Sequence, residues 1–123
     1  MQHPLKNYDN FFLPMNNPEA AKTFYHDVLG LPMKFDFAEG GLTAFQVGDQ
    51  EAAVILQDTS KHPDAKPSIL FVVGDVNATY QELKAKGVQF LSEPYEIYTG
   101  LAVQFEDPFG NRLGLTDYSK AKR

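Results

Sequence analysis

Asn10 to Asp58 can be written above Ser68 to Thr116 without a gap, so the chain repeats itself at an offset of 58 residues. Gln46 falls on Gln104, Asp49 on Asp107, Ala20 on Ala78, Ala44 on Ala102 and Ile55 on Leu113. A repeat of this size is one supersecondary unit that needs a neighbour to bury its apolar side. The doubling restricts the fold to two copies of one plan. It also lets every candidate site be read at two equivalent positions.

The punctuation of the two copies agrees. In the first, a strand over Asp9–Met15 runs into Asn17-Pro18-Glu19, which opens a helix. Asn17 can cap free N–H groups, Pro18 suits the first helical position, and Glu19 suits the positive end of the dipole. Ala21, Phe24, Tyr25, Val28 and Leu29 make an apolar stripe, and Gly30 is placed to end the helix. Strands over Met33–Phe37, Leu42–Val47 and Ala52–Gln57 follow, separated by Glu39-Gly40-Gly41 and Gly48-Asp49-Gln50. In the second copy the strand is Ser68–Val73, Asp75 is the cap, Val76, Tyr80 and Leu83 are the stripe, and Gly87 is the stop. Strands over Val88–Leu91, Leu101–Phe105 and Arg112–Asp117 complete it, while Ser92–Gly100 is consistent with loop, lid or strand. The expectation is one α+β domain over residues 1–123, built of βαβββ units 8–58 and 68–118 joined by the polar linker 59–67.

Composition narrows the function classes. A net charge of −5 disfavours nucleic acid and anionic membrane as partners. The basic end, Lys120, Lys122 and Arg123, reads as solvated. With no cysteine there is no disulfide, thiolate metal site or cysteine nucleophile. No apolar run is long enough to span a bilayer, and Met1–Lys6 lacks the apolar stretch of a signal peptide. A cytoplasmic location is expected.

Strand alternation sorts side chains onto two faces. One set is almost wholly apolar and is expected under the helices: Phe11, Leu13, Met15, Ala53, Ile55, Ile69, Phe71, Val73, Leu113 and Leu115. The other set is mixed: Asn10, Phe12, Pro14, Val54, Leu56 and Asp58 in one copy, and Ser68, Leu70, Val72, Arg112, Gly114 and Thr116 in the other. Apolar surface with a few polar groups is the usual lining of a small-molecule cavity.

Phe24-Tyr25-His26-Asp27-Val28-Leu29-Gly30-Leu31 resembles the FYxxVLGL signature of the vicinal oxygen chelate superfamily, the fold of glyoxalase I, bleomycin-resistance proteins and extradiol dioxygenases. Asp107-Pro108-Phe109-Gly110-Asn111 resembles its DPDGN turn before the last strand, and Gly100 also fits. The resemblance covers residues 8–118. It implies paired βαβββ units forming a curved mixed sheet around a cavity, and a homodimer. These motifs describe the scaffold and leave the chemistry to particular side chains.

In metal-using members of that superfamily, inward side chains on the first and last strand of each unit hold a divalent cation, usually through His or Gln, Glu, His and Glu. Counted from the motifs, the corresponding positions here are Asn10, Leu56, Ser68 and Gly114. Leu56 and Gly114 bring no donor atom, Asn10 brings a neutral amide and Ser68 a hydroxyl. Nickel, zinc and iron favour imidazole, carboxylate or thiolate. No metal and no other cofactor is therefore expected. His3 falls in the N-terminal tail, His26 on a polar helix face and His62 in the linker, so a histidine-rich site is not expected elsewhere. Asp58 with Glu106 or Glu96 would make a carboxylate site only if they converge.

No catalytic residue is identified. Ser68 lies in no nucleophile elbow, and no glycine-rich phosphate loop is present. The expected activity is metal-free binding of a small organic molecule in the cavity between the units. Phe12, Leu56 and Leu70 would make the apolar contacts, and Asn10, Ser68 and Arg112 would orient the ligand. Tyr98, Gln104 and Gly114 complete the set, and Tyr95 and Phe109 are further candidates for aromatic walls. Two alternatives stay open: a metal-dependent lyase, isomerase or dioxygenase with shifted ligands, and a structural or regulatory dimerisation module.

Overall fold

Asn17 and Asp75 do what their positions predict. The Ala20 N–H donates to the Asn17 side chain at 3.0 Å, and the Ala78 N–H donates to Asp75 at 3.0 Å. A computed structural model of the chain describes residues 5–120, so His3, Lys122 and Arg123 lie outside the described residues. The elements run β1 (Asn7–Met15), α1 (Pro18–Lys22), β2 (Met33–Phe37), β3 (Leu42–Gln46), β4 (Ala53–Asp58), β5 (Ser68–Val72), α2 (Val76–Ala85), β6 (Gln89–Phe90), β7 (Tyr95–Ile97), β8 (Gly100–Glu106) and β9 (Arg112–Thr116). The fold is α+β, a doubled strand–helix–three-strand plan with one extra strand in the second copy. That strand settles Ser92–Gly100: Tyr95–Ile97 pairs antiparallel with Gly100–Ala102 as a hairpin.

Contacts divide the chain into two compact units, Asn10–Pro67 and Ser68 onward, the latter including residues up to Asp9. In the N-terminal unit the strand order is β2-β3-β4-β1, with β1 and β4 parallel and the other pairs antiparallel. α1 passes into a π-helical stretch over Thr23–Val28, closed by Leu29 N–H to Phe24 C=O at 2.9 Å, and Gly30 ends it at φ 78°. The helical segment meets the sheet through Tyr25, whose ring stacks on Phe45 at 5.3 Å. Lys22 reaches Asp36 at 2.8 Å, and Thr43 donates to the same carboxylate at 3.1 Å. The helix side of this sheet is therefore that of Asp36, Thr43 and Phe45.

Register corrects one expectation. Asn10 pairs with Ala53 and Phe12 with Ile55, while Leu13 pairs with Leu56 and Thr43 pairs with Leu56 from the other side. Ala53 and Ile55 thus share the face of Asn10 and Phe12, and Val54, Leu56 and Asp58 lie on the helix side. The expected faces of β4 are reversed. The cause is one residue: Asn10 is opposite Ala53, but Ser68 is opposite Arg112, one position further along. A single-residue difference in register turns a whole strand over.

In the C-terminal unit the order is β5-β9-β8-β6, with β7 also on β8. Here the expected faces agree with the register. Val73, Val76, Tyr80, Val103, Phe105 and Leu115 form a fully buried core between sheet and α2, with Ile69's neighbours Phe71 and Leu113 packed against it. The start of β1 is tied into this unit: Lys6 N–H donates to Val72 C=O at 2.8 Å, Tyr8 lies 5.7 Å from Phe71, and Tyr118 bonds Asp9.

One carboxylate organises the end of this unit. Asp117, 3% exposed, accepts from Val76 N–H at 2.8 Å, Leu101 N–H at 3.0 Å, and the hydroxyl of Ser119 at 2.7 Å. It joins the first turn of α2 to β8 and to the segment after β9. Gly100 is needed beside it, since a Cβ there would lie 2.6 Å from the Asp117 carbonyl oxygen. Burial resists ionisation of Asp117, but the bonds from Val76, Ser119 and Leu101 outweigh it and hold the carboxyl below the ordinary range.

Candidate ligand-binding site

The helix-free face of each half-sheet carries the candidate residues. In the N-terminal unit it is made of Asn10 and Phe12 on β1, Ala53, Ile55 and Gln57 on β4, Leu42 and Ala44 on β3, and Phe35 and Phe37 on β2. Ala44, Ala53 and Ile55 are buried, with Phe12 and Leu42 packed against them. The small side chains make a floor, and the phenylalanines rise from it. The Asn10 amide oxygen is used by the backbone, accepting from Ala53 N–H at 2.9 Å.

In the C-terminal unit the same face holds Ser68 and Leu70 on β5, Arg112 and Gly114 on β9, and Gln104 on β8, with Ser68 opposite Arg112, and Leu70 and Gln104 on either side of Gly114. Glu106 is also opposite Arg112, and Tyr95 stands opposite Ala102 on this face. Burial raises the pKa of the Tyr95 phenol, opposed by the positive charge of Arg112. Gly114 has no room above it: a Cβ there would lie 2.6 Å from Leu70 Cδ1 and 3.7 Å from Gln104 Cγ. Leu70 fills the space in which a fourth family ligand would project.

The candidates separate accordingly. Asn10 and Phe12 come together on one half-sheet, and Ser68, Leu70, Gln104, Arg112 and Gly114 on the other. Leu56 is fully buried on the helix side and is not brought to this face. Its place is taken by Ile55, which occupies the position equivalent to Gly114 once register is counted. Tyr98 is in the turn between β7 and β8 and is 96% exposed, and Phe109 stands at the tip of the Asp107–Asn111 turn, 86% exposed; neither is gathered to the face. The role of that turn is visible: Asp107 accepts from Phe109 N–H at 2.8 Å and from Asn111 N–H at 2.9 Å. Sequence reasoning missed Phe35, Phe37 and Ile55, whose signal was the alternation of β2 and β4 read in the correct phase. It also missed a groove of about 570 Å³ on the helix side, between α2 and β6, lined by Tyr80, Lys84, Phe90 and Glu93 among others.

The metal chemistry of the fold does not fit these residues. The positions are Asn10, Ile55, Ser68 and Gly114, two of them without donor atoms and one with its oxygen bonded to the backbone. Among the described residues, no three His, Asp or Glu side chains are grouped to hold an ion. Asp58 is turned to its own loop, accepting from Ser60 N–H at 3.0 Å, and Glu96 pairs with Lys120 at 3.2 Å.

The family follows from comparison. The model of the Glyoxalase/Bleomycin resistance protein/Dioxygenase superfamily matches residues 7–115. The chain belongs to this superfamily. It is 46% identical over 103 residues to the uncharacterized protein YetH of Bacillus subtilis (strain 168), covering 79% of this chain and 86% of YetH. It is 30% identical over 113 residues to the uncharacterized protein YurT of the same organism, covering 80% and 89%. Among solved structures, methylmalonyl-CoA epimerase from Mycobacterium tuberculosis superposes with a TM-score of 0.73 at 18% identity, covering 95% of this chain and 91% of the epimerase. At that identity the likeness is one of fold. Among the described residues, no helix is long and apolar enough to cross a membrane.

Proposed function

We propose that this superfamily member binds a small, partly apolar organic molecule on the helix-free faces of its half-sheets, without a metal ion. The observation that carries the reading is Leu70 lying over Gly114. An apolar side chain fills the place of a ligand carboxylate, and its neighbours are an amide, a hydroxyl and a guanidinium. Ile55 and Phe12 offer the same apolar character in the other unit. Such a surface recognises shape and apolar area, with Arg112 and Ser68 placed on the same face, where they would orient a polar end. The structural neighbour, an epimerase of methylmalonyl-CoA by name, supports small-molecule binding as a use of this fold.

Thermal unfolding against a panel of aromatic and aliphatic carboxylic acids, with their amides, tests it. A bound compound raises the midpoint by mass action, by about 2.7 kcal/mol of stabilisation at a hundredfold excess over Kd. Leu70→Ala and Arg112→Met should each weaken the response while the free protein still folds. Elemental analysis of untreated protein runs beside it. Stoichiometric nickel, zinc, iron or manganese would sink the metal-independent reading, and so would responses unchanged by both variants.

A further inference from the structure

The groove between α2 and β6 lies within the C-terminal unit and stands on packed aromatic rings. Tyr80 is buried and meets Phe90 edge-on at 4.6 Å, and Phe90 meets Phe105 at 5.4 Å. Gly87, at φ 97°, turns the chain from the helix toward β6, and Val88 N–H donates back to Leu83 C=O at 3.1 Å. The volume of about 570 Å³ is within the range of small-molecule sites.

Two opposite charges line this groove without meeting each other. Lys22, Lys86 and Lys120 each reach a carboxylate at 3.6 Å or less. Lys86 does so through Glu82, four residues before it, an ordinary helical pairing. At the same spacing Lys84 has Tyr80. Its ammonium donates to the Tyr80 hydroxyl at 3.3 Å and stands 5.3 Å from the ring centroid. That contact holds the cation in place without neutralising it, and an ammonium has three donors to offer. Glu93 lines the same groove, and among the described residues its carboxylate is in no ion pair. The doubled plan does not demand this arrangement: 58 residues earlier, the positions of Tyr80 and Lys84 carry Lys22 and His26.

We propose that this groove binds a small zwitterion with an apolar body, of the amino-acid or dipeptide class. The carboxylate takes the remaining donors of Lys84, the ammonium pairs with Glu93, and the apolar body lies against Phe90 and Val88. A molecule with a single charge leaves Lys84 or Glu93 without its partner and forgoes a charge-assisted bond. A second negative charge meets Glu93 and is repelled, so the two groups together select for opposite charges on one ligand. The site is independent of the helix-free face, which is on the other side of the same half-sheet.

An amide NMR titration of the full chain tests the proposal. The probes are L-phenylalanine and L-leucyl-L-phenylalanine, with hydrocinnamate and phenethylamine as singly charged analogues. At least one zwitterion should shift the amides of residues 87–93 saturably, and each analogue should bind about tenfold more weakly or worse. Lys84→Met and Glu93→Gln should each weaken zwitterion binding by about tenfold or more. Both side chains are exposed, and urea unfolding checks that both variants fold. Should either unfold, the analogue series on the wild type decides. A wild type that binds neither zwitterion overturns the proposal, as does binding that either folded variant leaves unchanged or that the analogues match. Shifts confined to Leu70, Gln104 and Gly114 also overturn it, and locate binding on the helix-free face alone.

Discussion

The two units follow one plan and bury their helices differently. α2 sinks Val76, Thr79 and Tyr80 into the C-terminal core, where Tyr80 stacks edge-on against Phe90 at 4.6 Å. The N-terminal helical segment, Pro18–Val28, has no fully buried residue. Its stripe is divided: Ala21 and Tyr25 turn toward the sheet, while Phe24, Val28 and Leu29 stay half exposed or more. The π-helical winding from Thr23 explains the division, because it takes the later residues out of line with the earlier ones. This unit is buried on both sides of its sheet, through Phe45 and Leu56 on the helix side and the cluster Ala44, Ala53 and Ile55 on the side away from it. Equal patterns of polar and apolar residues thus sink one helix into its core and leave the other lying on a sheet that is buried beneath it.

The contrast can be broken most directly at the helices. Tyr80→Ala should cost about 4 kcal/mol, as large aromatic truncations in cores do. Phe24→Ala should cost less than about 1 kcal/mol. Urea unfolding of both variants reads this, and equal losses would dissolve the distinction.

Acid should then act unevenly. Folding lowers the pKa of Asp117, so its contribution is present above the ordinary carboxylate value of 3.8 and is lost as pH falls through the lower folded value. The urea midpoint should drop as pH falls below about 4, and Asp117→Asn should flatten that drop. Asp117→Ala, which leaves the Val76 and Leu101 N–H groups without their acceptor, should cost about 3 kcal/mol at neutral pH. In the N-terminal unit Asp36 is also lowered, first by its bond to Lys22. That pair is on the surface, so 1 M salt should remove most of its effect and spare that of Asp117.

The smallest difference is at the caps. Asn17→Ala and Asp75→Ala should each cost about 1 kcal/mol, seen as similar shifts in thermal midpoint. Similar values would show that the units part only beyond the first helical turn.

Much of this was legible because it is local. The caps, the helix stops at Gly30 and Gly87, the Asp107 turn and most strand positions are written in neighbouring residues. What failed was non-local. Between its paired first and last strands the second unit is one residue longer, Ser68 to Arg112 against Asn10 to Ala53, so an ungapped repeat carried β4 out of phase and exchanged Leu56 for Ile55. Asp117 gave no signal, because its partners Val76 and Leu101 are distant in sequence. The exposure of Phe24, Val28 and Leu29 was hidden by a pattern that any amphipathic helix would show.

β1 is shared: its first residues belong with the C-terminal unit and its remainder with the N-terminal one. A ribosome makes the two parts of this strand together and their partners far apart in time. Asn10–Met15 can pair as soon as β4 has emerged, but Leu5–Asp9 must wait until β5 and Tyr118 are made. Residues made before the rest of β1 are among the last to find their place. Closing so long a loop slows the final step of folding, and the C-terminal unit stays incomplete until the start of β1 has met β5 and Tyr118.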